Sequence, residues 1–381
     1  MDFGWTEEQQ RRRQEVIDFA RRELNDDVRE RDAGAAFSAE AWKRCAGFGI
    51  QGLPVPEEYG GQGADPITIM MTMEALGYGC ADNGLLFGLG AQMWSAETPL
   101  VRFGTEEQKR RFLPGLCDGS LVGVQAMTEP ESGSDAFAMS TLVEQRGDRY
   151  VLDGTKTFIT NAPVADVIVV FATSAPGRGF GGASAFLVER GTPGLEIGPP
   201  LAKMGLRTIP MGEVRLSGCE VPAENRLGPA GAGLAIFNHS MDWERSYILA
   251  GAVGTMQRQL DRCISRARER RQFGQAIGKF QAVAHRIVDI HTRVRTGRLL
   301  LYELAWLRTQ KKSTTVESAL AKLWVSESFL ASSLDALFVH GGAGYLTENE
   351  LERDVRDAVA GCIYSGTSDM QRNIIAARLG L

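Results

Sequence analysis

The sequence predicts an α+β protein in which a helical region, a β region and a second helical region follow one another. Three observations support this order. Helical periodicity fills residues 6–118, short β-prone segments separated by Gly and Pro fill about 122–232, and long amphipathic runs return from Gly233. Because 381 residues exceed the usual single core, we expect domains at 1–121, 122–232 and 233–381.

Two capping boxes mark the N-terminal helical region. Thr6 and Thr105 precede Gln9 and Gln108 by the spacing that begins a helix. The segment GFGIQG (47–52) matches the GxGxxG pattern of dinucleotide-binding loops. It follows a helical pattern instead of a strand, and prolines follow where a helix should begin, so we do not predict a Rossmann domain.

The β region contains five candidate strand segments. RYVLDGTKTFIT (149–160) predicts a hairpin with its turn at Asp153-Gly154. The other segments are DVIVVFAT, ASAFLVE, GLEI and GEVRLSGCEVP. Together they predict a compact β domain.

The C-terminal region predicts a helical bundle. An apolar stripe from Leu234 to Leu260 predicts one helix from Gly233 to about Arg270, roughly 55 Å long at 1.5 Å per residue. Two further helical runs cover about 279–310 and 315–339, before the glycine break HGGAGY and a last helical stretch.

Composition excludes several classes of function. A net charge of −5 and a pI near 5.6 argue against nucleic-acid binding. The chain has no apolar run of membrane-spanning length, and MDFGWTEEQQ lacks the layout of a signal peptide. Six scattered cysteines and four histidines indicate neither a metal site nor a disulfide framework, so we expect a cytoplasmic protein without a metal.

Glu244, in MDWERS (241–246), is the least ordinary residue of the bundle. It shares a helix face with Met241 and Ile248, where a charge is costly. The ordinary explanations are a surface position or an ion pair with Arg245 or Arg293.

Two segments of the β region could bind a cofactor. AMTEPESGSDAF (126–137) presents hydroxyls and free amides that suit a phosphate or the polar edge of a ring. KTFITNAP (156–163) places Phe158 and Thr160 on one strand face, where they could contact a flat cofactor. The alternatives are an ordinary loop and a buried Phe.

Two segments of the helical region have similar potential. RERRQFGQAIGKFQ (268–281) offers Arg270 or Arg271 for a pyrophosphate, Phe273 for stacking and Gln281 for a hydrogen bond. IYSGTSDMQ (363–371) could begin the last helix with exposed amides. A solvated helix end and a plain N-cap are the alternatives.

In this order the four segments resemble the acyl-CoA dehydrogenase family of FAD flavoproteins over essentially the whole chain. TEPESGSD resembles the family's TEPxAGSD signature, and GDRYVLDGTKTFITN resembles its flavin-side strands. KMGLR, VPAENRLG, RRQFGQAIGKFQ and HGGAGY also resemble family runs. The resemblance implies an N-terminal all-α domain, a central β-barrel or β-sandwich domain and a C-terminal four-helix bundle.

The resemblance also implies a reaction. Family members oxidise the Cα–Cβ bond of an acyl thioester: a carboxylate removes the α-proton, and hydride leaves Cβ for the flavin. In most members the carboxylate lies in a turn where this chain has Ser365, whereas a minority place it on the long helix just before an Arg, where this chain has Glu244. Glu244 is therefore the expected base, shielded from water. The backbone N–H of Ser365 is the expected donor to the thioester oxygen.

The remaining site residues follow from the same resemblance. Arg245 and Tyr364 are expected in the substrate pocket. Many relatives have Gln where Phe338 stands, so contacts there are not implied. The expected FAD contacts are Met127, Thr128, Gly133, Ser134, Phe158, Thr160, Arg270, Phe273, Ile277, Phe280, Gln281, Gly341, Gly342, Thr367 and Asp369.

Some of these contacts imply partners. Arg270, Phe273 and Gln281 resemble residues that reach the FAD of a neighbouring subunit, so we expect a homotetramer or homodimer. Electron-transfer flavoprotein is the acceptor that the family implies, and direct reaction with oxygen occurs in relatives.

MDWERSYILAG and IYSGTSDMQRNIIA most resemble the branch that includes prolyl-carrier-protein dehydrogenases. We therefore expect a short acyl thioester on a carrier protein, in natural-product biosynthesis. The alternatives are a short- or branched-chain acyl-CoA dehydrogenase of catabolism, a flavin oxidase on the same fold, and a non-enzymatic helical interaction protein.

Overall fold

The computed structural model describes residues 5–177 and 179–381. Helices precede and follow a sheet, which confirms the predicted α+β order. The N-terminal helices are α1 (Glu7–Glu23), α2 (Val28–Ala33), α3 (Ala39–Gly47), α4 (Pro66–Gly79), α5 (Asn83–Gln92), α6 (Thr98–Phe103) and α7 (Glu106–Cys117).

Both predicted capping boxes are confirmed. The hydroxyls of Thr6 and Thr105 accept from the backbone N–H of Gln9 and Gln108, whose side chains accept in return. The GFGIQG segment follows helix α3, as the sequence predicts. A π-helical turn, Met93–Glu97, joins α5 to α6.

One hydrogen-bonded sheet forms the middle of the chain. Its strands are β1 (Gly123–Ala126), β2 (Leu142–Arg146), β3 (Arg149–Thr160), β4 (Val167–Thr173), β5 (Ala183–Glu189), β6 (Leu195–Ile197), β7 (Met211–Pro222) and β8 (Arg226–Leu227). The order is β6-β7-β3-β2-β4-β5-β8, with β1 parallel to β4. Because β5 also contacts β7, although three strands lie between them in this order, the sheet curls back on itself.

The hairpin predicted at Asp153-Gly154 is wrong. β3 continues through both residues, and the hairpin turn lies at Gly147 and Asp148, between β2 and β3. Gly154 instead marks a bulge where the β3–β7 register shifts, and an ideal Cβ there would lie 2.5 Å from Thr141 Oγ1. Turns and bulges both need a glycine, so the dipeptide alone could not distinguish them.

The C-terminal helices are α8 (Gly233–Tyr247), α9 (Ala250–Glu269), α10 (Gln281–Thr309), α11 (Thr315–His340), α12 (Leu351–Gly361) and α13 (Ser368–Leu379). Between α9 and α10, β9 (Arg271–Gln272) and β10 (Gln275–Ala276) form a small hairpin. The sequence ranges 279–310 and 315–339 therefore match α10 and α11.

The single helix predicted from Gly233 to Arg270 is wrong, because it breaks at Ile248 and Leu249. Ile248 keeps helical dihedrals and the apolar stripe continues in phase, so periodicity does not reveal the break. After it, α9 crosses α4 at close range: a Cβ on Gly77 would lie 2.0 Å from the carbonyl oxygen of Gly251. The glycines thus let the two backbones touch and join the bundle to the N-terminal helices.

The change from helix to strand falls between Cys117 and Gly123, and the return to helix falls at Gly233. We propose 1–121, 122–232 and 233–381 as the domains on this basis. In the described ranges, no helix combines the length and apolar character needed to cross a membrane. All six cysteines are free thiols.

Candidate active site

Glu244 is buried on α8, with 9% of its surface exposed. Its Oε1 accepts a hydrogen bond from the Ser365 hydroxyl, and its Oε2 accepts one from the Ser95 hydroxyl. Ser365 belongs to the turn before α13, and Ser95 belongs to the π-helical turn after α5. Three segments that are distant in the sequence therefore meet at this carboxylate.

Neither ordinary explanation for Glu244 holds. The side chain is buried, and both arginines that could pair with it have other partners. Arg245 Nε donates to the Ser365 carbonyl oxygen at 3.3 Å, and Arg293 Nη1 pairs with Asp335 Oδ2 at 2.7 Å. Across 5–177 and 179–381, the hydrogen-bond donors to Glu244 are the two neutral hydroxyls.

The turn at Ser365 has left-handed backbone dihedrals, and side chains donate hydrogen bonds to its carbonyl oxygens. Ser365 has φ 55° and Gly366 has φ 85°, both in the left-handed region. Gln371 Nε2 donates to the carbonyl oxygens of Ser365 and Gly366 at 3.2 and 2.8 Å. Left-handed geometry costs a residue other than glycine about 1–2 kcal/mol, and such strain concentrates at functional sites.

Lys322 also supports this turn, and sequence reasoning missed it. Its side chain is fully buried on α11, and Nζ donates to the Gly366 carbonyl oxygen at 2.7 Å. Burial lowers the pKa of Lys322 to about 8. A single Lys inside a helical run carries no pattern that distinguishes it from a surface residue, so only the packing reveals it.

The predicted pocket residues Arg245 and Tyr364 both lie at this turn. The Tyr364 ring stands 4.5 Å from the ring of Phe87, with 32° between their planes. Lys322 Nζ lies 5.9 Å from the centre of the Tyr364 ring. The Tyr364 ring therefore packs against Phe87 and lies near the Lys322 ammonium group, directly before the Ser365 turn.

An aromatic cluster fixes the π-helical turn against α8. The Trp94 ring lies 6.0 Å from Trp243 and 5.1 Å from Tyr247, and the latter two are 5.3 Å apart. Glu97, on the same π-helical turn, is fully buried, and burial raises its pKa to about 8. Glu97 is bonded to Gln92 Nε2 at 2.8 Å, so it is a second buried carboxyl group with different partners.

The two segments of the sheet domain that are predicted to contact a cofactor lie side by side. The backbone N–H of Thr157 donates to the Thr128 carbonyl oxygen at 2.9 Å, and Lys156 Nζ donates to that of Met127 at 3.1 Å. Lys156 also pairs with buried Glu129 at 2.8 Å. Burial opposes the charge, but the ammonium group holds the pKa of Glu129 at about 2. This pair, which sequence reasoning did not single out, ties the loop to β3.

The outward side of these segments is open. Phe158 is 61% exposed and has φ 57°, while Thr160 is half-buried beyond it on β3. Gly133 and Ser134 are exposed, and a Cβ on Gly133 would meet no atom within 4 Å. An exposed aromatic side chain beside open backbone fits a large planar cofactor with a polar tail.

The 268–281 segment projects from the bundle as the β9–β10 hairpin. Phe273 is 93% exposed at its tip with φ 50°, and its ring lies 6.0 Å from that of Phe280. Arg270 and Gln281 are exposed, and Ile277 is half-buried. An exposed phenyl ring held by a left-handed backbone fits contact with another molecule.

The last predicted cofactor residues occupy two other places. Gly341 and Gly342 are exposed after α11, and neither would have an atom within 4 Å of an added Cβ. Phe338, before them, is 54% exposed under Arg286, whose Cζ lies 5.0 Å from the ring centre. Thr367 caps α13 through Met370 N at 3.2 Å, so the plain N-cap is present. Asp369 is exposed beside Arg372.

No cluster of His, Cys, Asp and Glu that could hold a metal ion occurs within the residues that the structure describes. The chemistry available at the site is that of a buried carboxylate, a turn with held carbonyl groups and hydroxyl donors. Such a set can take a proton from carbon and stabilise charge on a neighbouring oxygen.

Family models cover nearly all of the chain. The acyl-CoA dehydrogenase N-terminal domain matches residues 6–120, the middle domain matches 124–219, and the C-terminal domain matches 231–380. The chain is 44% identical over 346 residues to an L-prolyl-[peptidyl-carrier protein] dehydrogenase of Pseudomonas fluorescens, covering 91% of each protein. It is 36% identical over 367 residues to the mitochondrial short-chain specific acyl-CoA dehydrogenase of Rattus norvegicus, covering 96% of this chain and 89% of that protein.

Solved structures give the same picture. The prolyl acyl carrier protein oxidase AnaB superposes with a TM-score of 0.98 at 47% identity, covering 99% of this chain and 100% of AnaB. PigA with FAD and proline superposes with a TM-score of 0.98 at 38% identity, covering 100% of both chains. The predicted fold, with helical parts on either side of a sheet domain, is therefore confirmed.

Proposed function

Because the chain belongs to the acyl-CoA dehydrogenase family, we propose that it dehydrogenates a short acyl thioester on a carrier protein, with Glu244 as the base. The protein is an FAD-dependent oxidoreductase acting on a CH–CH bond. The observation that supports the role of Glu244 is its burial beside the Ser365 turn, where the common family position of the carboxylate holds a serine.

The residues divide the first step between two groups. Glu244 takes the α-proton of the thioester. The backbone N–H of Ser365 donates to the thioester oxygen, where negative charge grows as the proton leaves. Removing one such donor costs on the order of 3 kcal/mol in other enzymes. Bound FAD supplies the acceptor for the hydride that leaves Cβ.

The surfaces of the sheet domain and the bundle would hold FAD. Phe158 and Thr160 would face the ring, with Met127 and Thr128 beside them, while Gly133 and Ser134 would meet the pyrophosphate. From the bundle, the proposed contacts are Arg270, Phe273, Ile277, Phe280, Gln281, Gly341, Gly342, Thr367 and Asp369. The exposed rings and open glycines described above support this assignment.

We propose a homo-oligomer, a tetramer or a dimer, because the ring of Phe273 at the tip of the β9–β10 hairpin is 93% exposed in its own chain. Apolar side chains on the outer faces of α10 and α11 support this: Val288 and Trp324 are 58% and 44% exposed. Such faces mark protein contacts. The free cysteines fit a reducing compartment such as the cytoplasm.

The handle of the substrate is proposed to be a carrier protein in natural-product biosynthesis, since the similar proteins named above include carrier-protein enzymes at 44% and 47% identity. A prolyl group or another short acyl group is the proposed cargo. The competing function is that of a short-chain acyl-CoA dehydrogenase, to which the chain is 36% identical.

Anaerobic flavin bleaching separates these functions. We expect prolyl-loaded carrier protein to reduce the flavin of the purified holoenzyme rapidly, and isovaleryl-CoA to reduce it slowly. Unloaded carrier protein is the control. Rapid bleaching by the CoA ester alone would contradict the carrier-protein proposal. A purified protein without flavin colour that takes up no FAD would contradict the enzyme itself.

Oxygen is a second candidate for the electron acceptor, because AnaB is described as an oxidase. Electron-transfer flavoprotein is the acceptor that the family resemblance implies. Peroxide formed in stoichiometric yield with substrate under air would favour the oxidase, and turnover that requires electron-transfer flavoprotein would favour the dehydrogenase.

A further inference from the structure

We propose that Ser95 is a positioning residue that orients the carboxylate of Glu244 for proton removal. This inference rests on the proposed function, because it assigns to Ser95 an effect on the base. The two carboxylate oxygens have different donors: the Ser95 hydroxyl donates to Oε2 of Glu244, and the Ser365 hydroxyl donates to Oε1. Each oxygen of the carboxylate therefore has its own donor.

Packing fixes Ser95 independently of the substrate. Ser95 is 5% exposed and lies in the middle of the π-helical turn Met93–Glu97. π-Helical turns are rare and occur often at functional sites, because the added residue re-aims the side chains around it. Trp94 is fully buried and stacks on Trp243, the residue before Glu244. The turn that holds Ser95 is thus anchored to the helix that holds the base.

The two serines have different surroundings. Ser365 belongs to the turn whose backbone N–H is assigned to the thioester, so its hydroxyl lies on the substrate side of the carboxylate in the proposed complex. Ser95 belongs to the buried π-helical turn between α5 and α6. A Glu side chain rotates about three bonds, and one hydrogen bond leaves the plane of its carboxylate free to turn. The second hydrogen bond, from the Ser95 hydroxyl, fixes the plane of the carboxylate while Oε1 exchanges partners as substrate enters.

The charge of the donors supports the same role. The nearby cations are engaged elsewhere, since Arg245 donates to the Ser365 carbonyl oxygen and Lys322 to that of Gly366. A cation in contact would stabilise the carboxylate strongly and weaken it as a base. Hydroxyl donors orient the group and stabilise it less. Ser95 thereby gives orientation without neutralising the charge.

The test is Ser95→Ala, measured by the rate of substrate-induced flavin reduction at saturating prolyl-loaded carrier protein across pH. We expect the rate to fall about 10- to 100-fold, the range for loss of one hydrogen bond to a charged group. The acidic limb of the pH–rate profile should move to higher pH, because the lost donor favoured the carboxylate over the carboxylic acid. The substrate concentration for half-maximal rate should change less than about threefold, since a positioning residue acts on the chemical step.

Matched variants separate this role from a structural one. Ser95→Thr keeps the hydroxyl and should restore most of the rate, and Ser95→Cys, which keeps the volume with a weak donor, should lie between Ser and Ala. Ser318→Ala is the control: Ser318 is fully buried on α11, and its hydroxyl donates to its own helix at the Thr315 carbonyl oxygen, 3.1 Å away. We expect its rate and pH profile to match the wild type.

The outcomes are distinguishable. An unchanged rate and pH profile in Ser95→Ala, with Glu244→Gln inactive, would overturn the positioning role and leave the proposed function standing. Suppose that the rate falls in Ser95→Ala without a shift of the acidic limb of the pH–rate profile, and that Ser95→Thr loses as much rate. This result would show damage to packing and would also overturn the positioning role. An active Glu244→Gln would instead refute the proposed base. The expected pattern in Ala, Thr and Cys together supports the proposal.

Discussion

The proposed base region, at Glu244, and the proposed cofactor region, at Phe158 and Phe273, are built in opposite ways. Glu244 and Ser95 are buried, and within residues 5–177 and 179–381 the hydrogen-bond donors to the carboxylate are the hydroxyls of Ser95 and Ser365. Phe158 and Phe273, by contrast, are 61% and 93% exposed in the same chain. A buried carboxylate needs all its partners in place, because an unpaired buried charge is costly. An exposed aromatic ring is stable in water without a partner, so it can bind a cofactor or a second chain after folding.

This difference separates what each region depends on. The geometry at Glu244 depends on internal packing, such as the stacking of Trp94 on Trp243 at 6.0 Å. We expect the proposed FAD surface to depend on assembly, because Phe273 at the tip of the β9–β10 hairpin is 93% exposed in its own chain. We therefore expect changes in the first region to affect the rate of chemistry at normal FAD content, and changes in the second to affect FAD content first.

Glu244→Gln tests the base region most severely. We expect substrate-induced flavin reduction to slow at least about a thousandfold, toward the strong end of what a single base supplies, while FAD absorbance per subunit stays normal. Stopped-flow reduction at saturating substrate measures the effect. Glu97→Gln is the matched control, because Glu97 is also fully buried but bonds to Gln92 instead of the substrate turn. Equal losses in both variants would contradict the assignment of the base.

Phe273→Ala tests the cofactor region. We expect FAD affinity to fall about tenfold, the scale of one lost aromatic contact, with the reduction rate of the remaining holoenzyme nearly unchanged. Fluorescence titration of the apoprotein with FAD measures affinity, and light scattering reports the oligomer. Leu379→Ala, at a residue 70% exposed near the C-terminus, is the control. Unchanged affinity in a wild-type oligomer would remove Phe273 from the proposed site.

The smallest expected effect on activity concerns Glu97, and its effect on stability distinguishes the two buried carboxyl groups. Burial raises the pKa of Glu97 to about 8 from an ordinary 4.5, so the folded state holds a proton that the unfolded state loses. The stability linked to this proton is complete below pH 4.5 and is lost as pH rises through about 8. The slope approaches about 1.4 kcal/mol per pH unit between these values.

Glu97→Gln should remove this slope. We expect its free energy of unfolding to fall less than that of the wild type between pH 5 and pH 8, by roughly 1 kcal/mol or more. Urea unfolding of both holoproteins at the two pH values measures the difference. Parallel curves would mean that Glu97 is not protonated in the folded protein at neutral pH.

Local patterns predicted the elements of the fold well, and the failures share a cause. The capping boxes at Thr6 and Thr105 were readable because each lies within four consecutive residues. The bulge at Gly154 and the break at Leu249 were misread. Both depend on neighbours from other elements, β7 in one case and α4 in the other, and a local pattern contains no information on them.

The site shows the same limit. Glu244 was identifiable because a charged residue interrupts an apolar stripe and because the family places a carboxylate there. Ser95 and Lys322 were not identifiable, since one serine or one lysine in a helical run is usually unremarkable. Their roles appear only where Ser95 meets Glu244, 149 residues away, and where Lys322 meets Gly366, 44 residues away.

The sequence by itself determined the order of helices and strands and the family, and it indicated the proposed base, because periodicity and motifs are local properties of the chain. Only the tertiary structure decided which groups hold that base: two hydroxyls from distant turns, with Arg245 directed to a carbonyl oxygen. The physical reason is that hydrogen bonds form between atoms a few ångströms apart in space. The packing of the sheet and the helical bundle determines which atoms are that close.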